Sequence, residues 1–204
     1  MATRYGFFVD GFNLYHALQA DKSLRRYKWL DLKKLCSLFL PKTAEVSLVN
    51  YFTAYTIWDQ EKVRRHKTYV AALEATGVDT ILGKFKWKQR KCRKCLQTYE
   101  TYEEKQTDVN IAIEVFRASM KNKFDQAIIV SGDSDLIPSI RAARSAFPTK
   151  KFGLIIPIFR RAEDLKQSVH FHQKMKRKHL ESSQFVDVIN LPDGTQLQRP
   201  SSWK

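Results

Sequence analysis

Apolar positions in this 204-residue chain fall into short runs that alternate with stretches of helical period. "RYGFFVD" (4–10) predicts a buried strand, and the "GFNLYHALQA" that follows spaces Phe12, Leu14, Tyr15 and Leu18 as one helix would. "LDLKKLCSLFL" (30–40) predicts an amphipathic helix stopped by Pro41. "EVSLVNYFTAYT" (45–56) is β-branched and aromatic, a strand; residues 58–77 have helical period and end on Gly77. "VDTILGKFKWK" (78–88) returns to strand, 106–123 to helix, and "FDQAIIVSG" (124–132) is the most strand-like run. A helix over 134–147, a strand over 150–158 and a short helix over 161–169 complete the pattern.

Strands and helices alternating at this spacing predict an α/β fold whose central, mostly parallel sheet is flanked by helices on both faces. In such folds ligands gather at the carboxyl ends of the strands. That edge receives Asp10 from the first strand, and Asp133 with Asp135 from the strand beginning at Phe124. Asp108 opens a helix that can present it at the same edge, and Asn13 lies one turn beyond Asp10.

Composition narrows the class. With 43% apolar residues the chain can build a packed core, and no stretch approaches the roughly 20 apolar residues of a membrane span. The opening "MATRYGFFVDGFN" lacks the layout of a signal peptide and three cysteines are not a disulfide framework, so a cytoplasmic protein is expected. A formal net charge of +15 asks for a polyanionic partner, nucleic acid before membrane, because the basic residues do not collect on one long amphipathic helix. They concentrate in "KFKWKQRKCRK" (84–94), where seven of eleven residues are Lys or Arg, and again in "KMKRKH" (174–179).

The stretch "SGDSD" (131–135) carries two acids where one would suffice to cap the next helix. Carboxylates gathered without a counter-charge repel and hold protons, so such a group is costly unless a divalent cation joins it. Oxygen ligands without His or Cys suit Mg²⁺ or Mn²⁺. A basic protein, an acidic pocket and a hard ion together point to phosphodiester hydrolysis. Taken singly, each residue has a plainer use. Asp135 serves equally as a helix cap, Asp108 as a first-turn acid on the helix dipole, and Asn13 as a polar surface residue.

"FVDGFNLYHAL", "EEKQTDVNIAIEVF" and "IIVSGDSDLIPSIRAAR", in this order and spacing, resemble the three signatures of NYN domains, a branch of the PIN-like nucleases close to the LabA-like group. The likeness spans residues 4–156, and the closing "LPDGTQLQRPSSW" also resembles a tail of bacterial members. The resemblance implies a Rossmann-like PIN fold and a metal-dependent endoribonuclease. It assigns Asp10, Asp108 and Asp133 as metal ligands, directly or through water. Asp135 becomes a further ligand or the residue that orients water, and Asn13 a hydrogen-bond partner of the first carboxylate or the phosphate. An RNA-binding module without turnover and a nuclease acting on DNA are the alternatives.

Within a nuclease domain over 1–173, residues 84–105 form a basic, hairpin-like insertion. Its Lys84, Lys86, Lys88, Arg90, Lys91, Arg93, Lys94 and Lys105, with Trp87 and Tyr99 interleaved, suit RNA: cations meet phosphates and rings stack on unpaired bases. A lysine-rich hairpin also keeps edge strands soluble. Cys92 and Cys95 are half of a structural zinc site; completing it requires Cys36, a remote His such as His66, or a second chain. Structural Zn²⁺ is thus the lesser expectation, and a homodimer is allowed. Residues 174–204 are expected to be a basic tail of weak order.

Overall fold

The computed structural model describes residues 2–204. Strand β1 (Arg4–Asp10) is buried from Tyr5 onward on both of its faces, as a central strand of a parallel sheet must be. It pairs in parallel with β2 (Glu45–Thr53) on one side and with β6 (Gln126–Val130) on the other. With β3 (Asp79–Leu82), β7 (Lys151–Ile156) and β8 (Phe171–Lys174) they make a six-stranded parallel sheet of order β3-β2-β1-β6-β7-β8. Strand order reverses between β1 and β6, which opens a crevice at their carboxyl ends.

Successive residues of β1 serve opposite cores. Phe7 and Val9 join the layer containing Leu14, Trp29, Tyr51 and Tyr69, covered by α1 (Gly11–Gln19), α2 (Leu32–Ser37) and α3 (Gln60–Glu74). Phe8 joins Phe52, Ile111, Val115, Phe124 and Phe152 under α4 (Thr107–Met120) and α5 (Ile137–Ala146). Each such side chain taken fully out of water stabilises the fold by about 1.5–3 kcal/mol. Helix starts are set by acids: Asp10, Asp31 and Asp59 accept the backbone N–H of Asn13, Lys34 and Lys62.

Two expectations are corrected. The single strand expected over 78–88 is two strands, because the chain leaves the main sheet at Gly83. Its N–H still donates to Thr53 O (2.7 Å), and a Cβ there would lie 2.7 Å from Lys105 O, so no side chain fits at the departure point. Beyond it, β4 (Lys84–Lys91) and β5 (Thr98–Lys105) form a separate antiparallel hairpin. Its base is fixed to the body where Trp58 stacks on Tyr102 (centroids 4.0 Å) and Phe85 packs edge-on to Phe12 and Trp58.

The tail is ordered as well. After the short α6 (Glu163–Gln167) and β8 come α7 (Arg177–Ser182) and a hairpin of β9 (Val188–Asn190) with β10 (Gln196–Gln198). Phe185 and Trp203 pack on the fully buried Trp29, whose indole N–H donates to Val186 O (2.8 Å). The Arg199 guanidinium donates to the carbonyls of Trp203 and Arg26. Apolar cover for Trp29 holds this segment down, a pairing across more than 150 residues that local pattern does not show. Among the described residues no helix is long and apolar enough to cross a membrane.

Candidate metal centre and its surroundings

Asp10 ends β1 and at the same time begins α1. Its Oδ1 accepts the Asn13 backbone N–H (2.9 Å) and its Oδ2 accepts the Ser131 hydroxyl (2.7 Å), which leaves the carboxylate buried and fixed in orientation. Ser131 follows β6, so this bond ties together the two strands that flank the crevice. The Ser131 hydroxyl oxygen also accepts the Asp133 N–H (3.0 Å), and Asp133 in turn accepts the Asp135 N–H (3.0 Å). The amide oxygen of Asn13 accepts the N–H of Gly132 (3.0 Å). Asn13 therefore meets Asp10 through its backbone, and its side chain clamps the loop that carries Asp133.

Asp108 arrives from the first turn of α4, half-buried. Oxygens of Asp10, Asp108 and Asp133 all lie within 4.8 Å of one another. Among the described residues no Lys, Arg or His nitrogen forms an ion pair with any of the three. The electrostatic result is as expected: the Asp108 carboxyl is pushed up to about 6, by burial first and then by Asp133, Asp10, Glu104 and Asp135. Asp10 is raised as well, chiefly by burial, against the lowering effect of its bonds to Asn13 and Ser131. Three convergent oxygen donors without a counter-charge are the donor set of a divalent cation. Asp135 is exposed and lies outside this group, although its charge reaches Asp108.

A cleft of about 370 Å³ surrounds the acids, lined also by Phe12, His16, Glu104 and Arg160. Glu104 accepts the Thr107 N–H (3.1 Å) and so caps α4 while facing the cleft, which charge pattern alone did not distinguish from a solvated residue. Ser131 and Arg160 had no signal as single residues. Ser131 shows its part only once β1 and β6 are adjacent, and Arg160 enters from the turn after β7 with its Nε buried and unbonded.

Outside the cleft stands the basic hairpin. One face presents Lys84, Lys86, Lys88 and Arg90 with Lys105 and Tyr99 across the ladder; the other presents Trp87 and Lys91. Lys88, Arg90 and Lys105 share the single acid Glu103. Trp87 and Tyr99 are about half exposed, and Arg93 and Lys94 lie exposed at the tip. Cys92 and Cys95 sit in the tip turn, where backbone N–H groups of Cys95 and Lys94 lower the Cys92 thiol. Cys36 is sealed in the core and His66 is bonded to Thr53 beside α3, so neither completes a zinc set with the pair; the acidic trio is the one metal-ligand group among the described residues. His170 and His172 are exposed at the sheet edge.

On the far side of Phe12 lies a second pocket of about 360 Å³, between α1, α3 and the chain end.

Comparison with known proteins bears on these features. The sequence profile described as "NYN domain" matches residues 4–173. The chain is 25% identical to the 6-hydroxy-3-succinoylpyridine 3-monooxygenase HspA of Pseudomonas putida, over 96% of this chain and 74% of that protein. The crystal structure of a protein of unknown function from Vibrio parahaemolyticus superposes with a TM-score of 0.61 at 15% identity, covering 86% of this chain and 94% of that one, a likeness of fold.

Proposed function

The chain belongs to the NYN domain family of PIN-like nucleases, and from that premise we propose that it is a divalent-metal-dependent endoribonuclease acting on single-stranded or locally unpaired RNA. One observation carries the reading: Asp10, Asp108 and Asp133, brought from three separate segments, converge within 4.8 Å without a basic partner. The oxygen-only donor set favours Mg²⁺ or Mn²⁺. When bound, such an ion supplies positive charge to phosphate oxygens and lowers the pKa of water, which is the chemistry phosphodiester hydrolysis requires.

The chain's own residues supply the rest. Ser131 and the Asn13 N–H hold Asp10 in one orientation, so little reorganisation is needed at the moment of reaction. Asp135, exposed and outside the trio but near enough for its charge to reach Asp108, orients water toward the phosphate. The guanidinium of Arg160, in the cleft wall, meets developing negative charge on phosphate oxygens. Lysines and arginines of the hairpin draw the RNA backbone in while Trp87 and Tyr99 offer ring faces to unpaired bases. No membrane contact is invoked, and the cytoplasm is the expected site of action.

Substituting Asp10→Asn or Asp133→Asn lowers Mn²⁺-dependent cleavage of a single-stranded RNA at least about a hundredfold, near 2.7 kcal/mol of barrier, with the fold kept. Cleavage at the parent rate by both variants overturns the reading. Binding of RNA without cutting by the parent selects the module without turnover, and matched RNA and DNA oligomers separate the two substrates.

A second reading comes from the Pseudomonas putida relative, whose name is that of a monooxygenase of a substituted pyridine. The observation that favours it is the pocket beyond Phe12, which has aromatic walls and basic side chains. A small aromatic acid would be the substrate, and the acidic trio would have no part in holding it.

A further inference from the structure

The pocket beyond Phe12 is not part of the acidic cleft, yet it opens on the same edge of the sheet, at the carboxyl end of β2. Its volume of about 360 Å³ falls in the range of small-ligand sites, about 300–1,000 Å³. Phe12 lines both spaces and forms the wall between them. Rings of Tyr15, Tyr51 and Trp203 form further walls.

The charges are arranged for an anion. Arg25, Lys28, Lys62 and Arg65 enter the lining, and no carboxylate does among the described residues; of the four, Lys62 is paired with Asp59 at 3.2 Å. Lys28 Nζ lies over the Tyr15 ring, 4.7 Å from its centroid, and donates to the Gln19 side chain. Burial first, and then the charges of Arg25 and Arg65, lower the Lys28 ammonium to about 8. Arg65 has a 3.8 Å approach to the exposed Glu61, outside the pocket. Cations gathered in one lining repel unless a negative group joins them. A polar atom also waits: Thr56 Oγ1 is buried with no hydrogen-bond partner, a state that native interiors rarely tolerate without a ligand or water. His66 is held neutral by burial, pushed down to about 4, and bonds Thr53 at 3.1 Å, so it adds no further charge.

These features call for a planar ring that bears an anionic group. We propose that the pocket holds one nucleotide of the RNA strand, its base against Tyr15 and Trp203 and its phosphate between Lys28 and Arg65, with Phe12 separating it from the phosphodiester in the acidic cleft. The assignment rests on the nuclease reading for the strand, and on the pocket alone for the nucleotide. It makes the pocket a subsite that selects an unpaired residue near the cut, since a base held among rings is no longer stacked on its neighbours.

Adenosine monophosphate serves as the probe, measured by titration calorimetry with nicotinate as the small aromatic acid. The parent binds the nucleotide, and Lys28→Ala or Tyr15→Ala weakens it about tenfold, the loss of one charged or stacking contact. Thr56→Val, which removes the orphan hydroxyl and keeps the shape, weakens binding about threefold or more without lowering Tm, a combination that a purely structural role does not produce. On RNA the Lys28→Ala loss falls on KM, with kcat within about twofold of the parent. If the parent cleaves RNA but binds no mononucleotide, and Lys28→Ala leaves KM where it was, the subsite is refuted while the nuclease stands. Lys28-dependent nucleotide binding by a chain that cuts no RNA keeps the pocket and removes the nuclease. Binding of nicotinate in place of the nucleotide overturns the assignment in favour of the small aromatic acid.

Discussion

A half-buried carboxyl with other acids around it keeps its proton longer than an isolated one, and Asp108 does so up to about pH 6. Between its ordinary value of 3.8 and about 6, the folded chain binds more protons at this site than the unfolded chain. Stability therefore falls as pH rises through that window, and the cost is fully present above it. In chelator at pH 7.5, Asp108→Asn raises Tm by about 2–4 °C, corresponding to about 1 kcal/mol once solvent screening is allowed for; at pH 4 the difference vanishes. Mn²⁺ reverses the order at pH 7.5, since it stabilises the parent by mass action and the variant much less. A variant at least as stable at pH 4 as at 7.5 relative to parent would refute the account. Ser131→Ala loosens Asp10 and Asp133 together and weakens Mn²⁺ binding about 10–100-fold by calorimetry, as loss of a positioning hydroxyl does. The acids could be read in the sequence because their charge has no cheap use in a group. Ser131 could not, because a serine after a strand is ordinary until its partner 121 positions away is known.

Among the elements, the hairpin of β4 and β5 has one structural task and one electrostatic one. Trp58, Phe85 and Tyr102 hold its base, so the exposed cations further out are free to be changed without disturbing the sheet. Replacing Lys86 and Lys91 by Gln reduces the salt dependence of single-stranded RNA binding by about 0.7 in slope per removed phosphate contact, and equally for unrelated sequences. An unchanged slope would place the RNA elsewhere. Apolar runs announced the parallel strands well, because β1, β6 and β7 are buried on both faces and can be little else. Charge marked the hairpin-like insertion from residue 84, yet the β-rich run over 78–88 continues through Gly83 as one strand, and only the approach of the Lys105 carbonyl shows why the chain must turn away there.

At the scale of the whole molecule, alternation of strand and helix carried the fold, and with it the edge on which the acids meet. Tail order was not legible, since it depends on an aromatic contact between Trp29 and residues near the end of the chain. Trp203→Ala uncovers Trp29 and Tyr69 and costs about 2 kcal/mol, less than the full burial of a core aromatic, with a fall in Tm of several degrees by calorimetry. It also opens one wall of the pocket beyond Phe12.

The bond between Asp10 and Ser131 spans 121 positions of sequence. At about 5–20 residues per second of synthesis, on the order of ten seconds separates the emergence of one partner from the other. A growing chain thus carries Asp10 long before the strand that brings Asp133, and the acidic trio stays incomplete until most of the domain has left the ribosome.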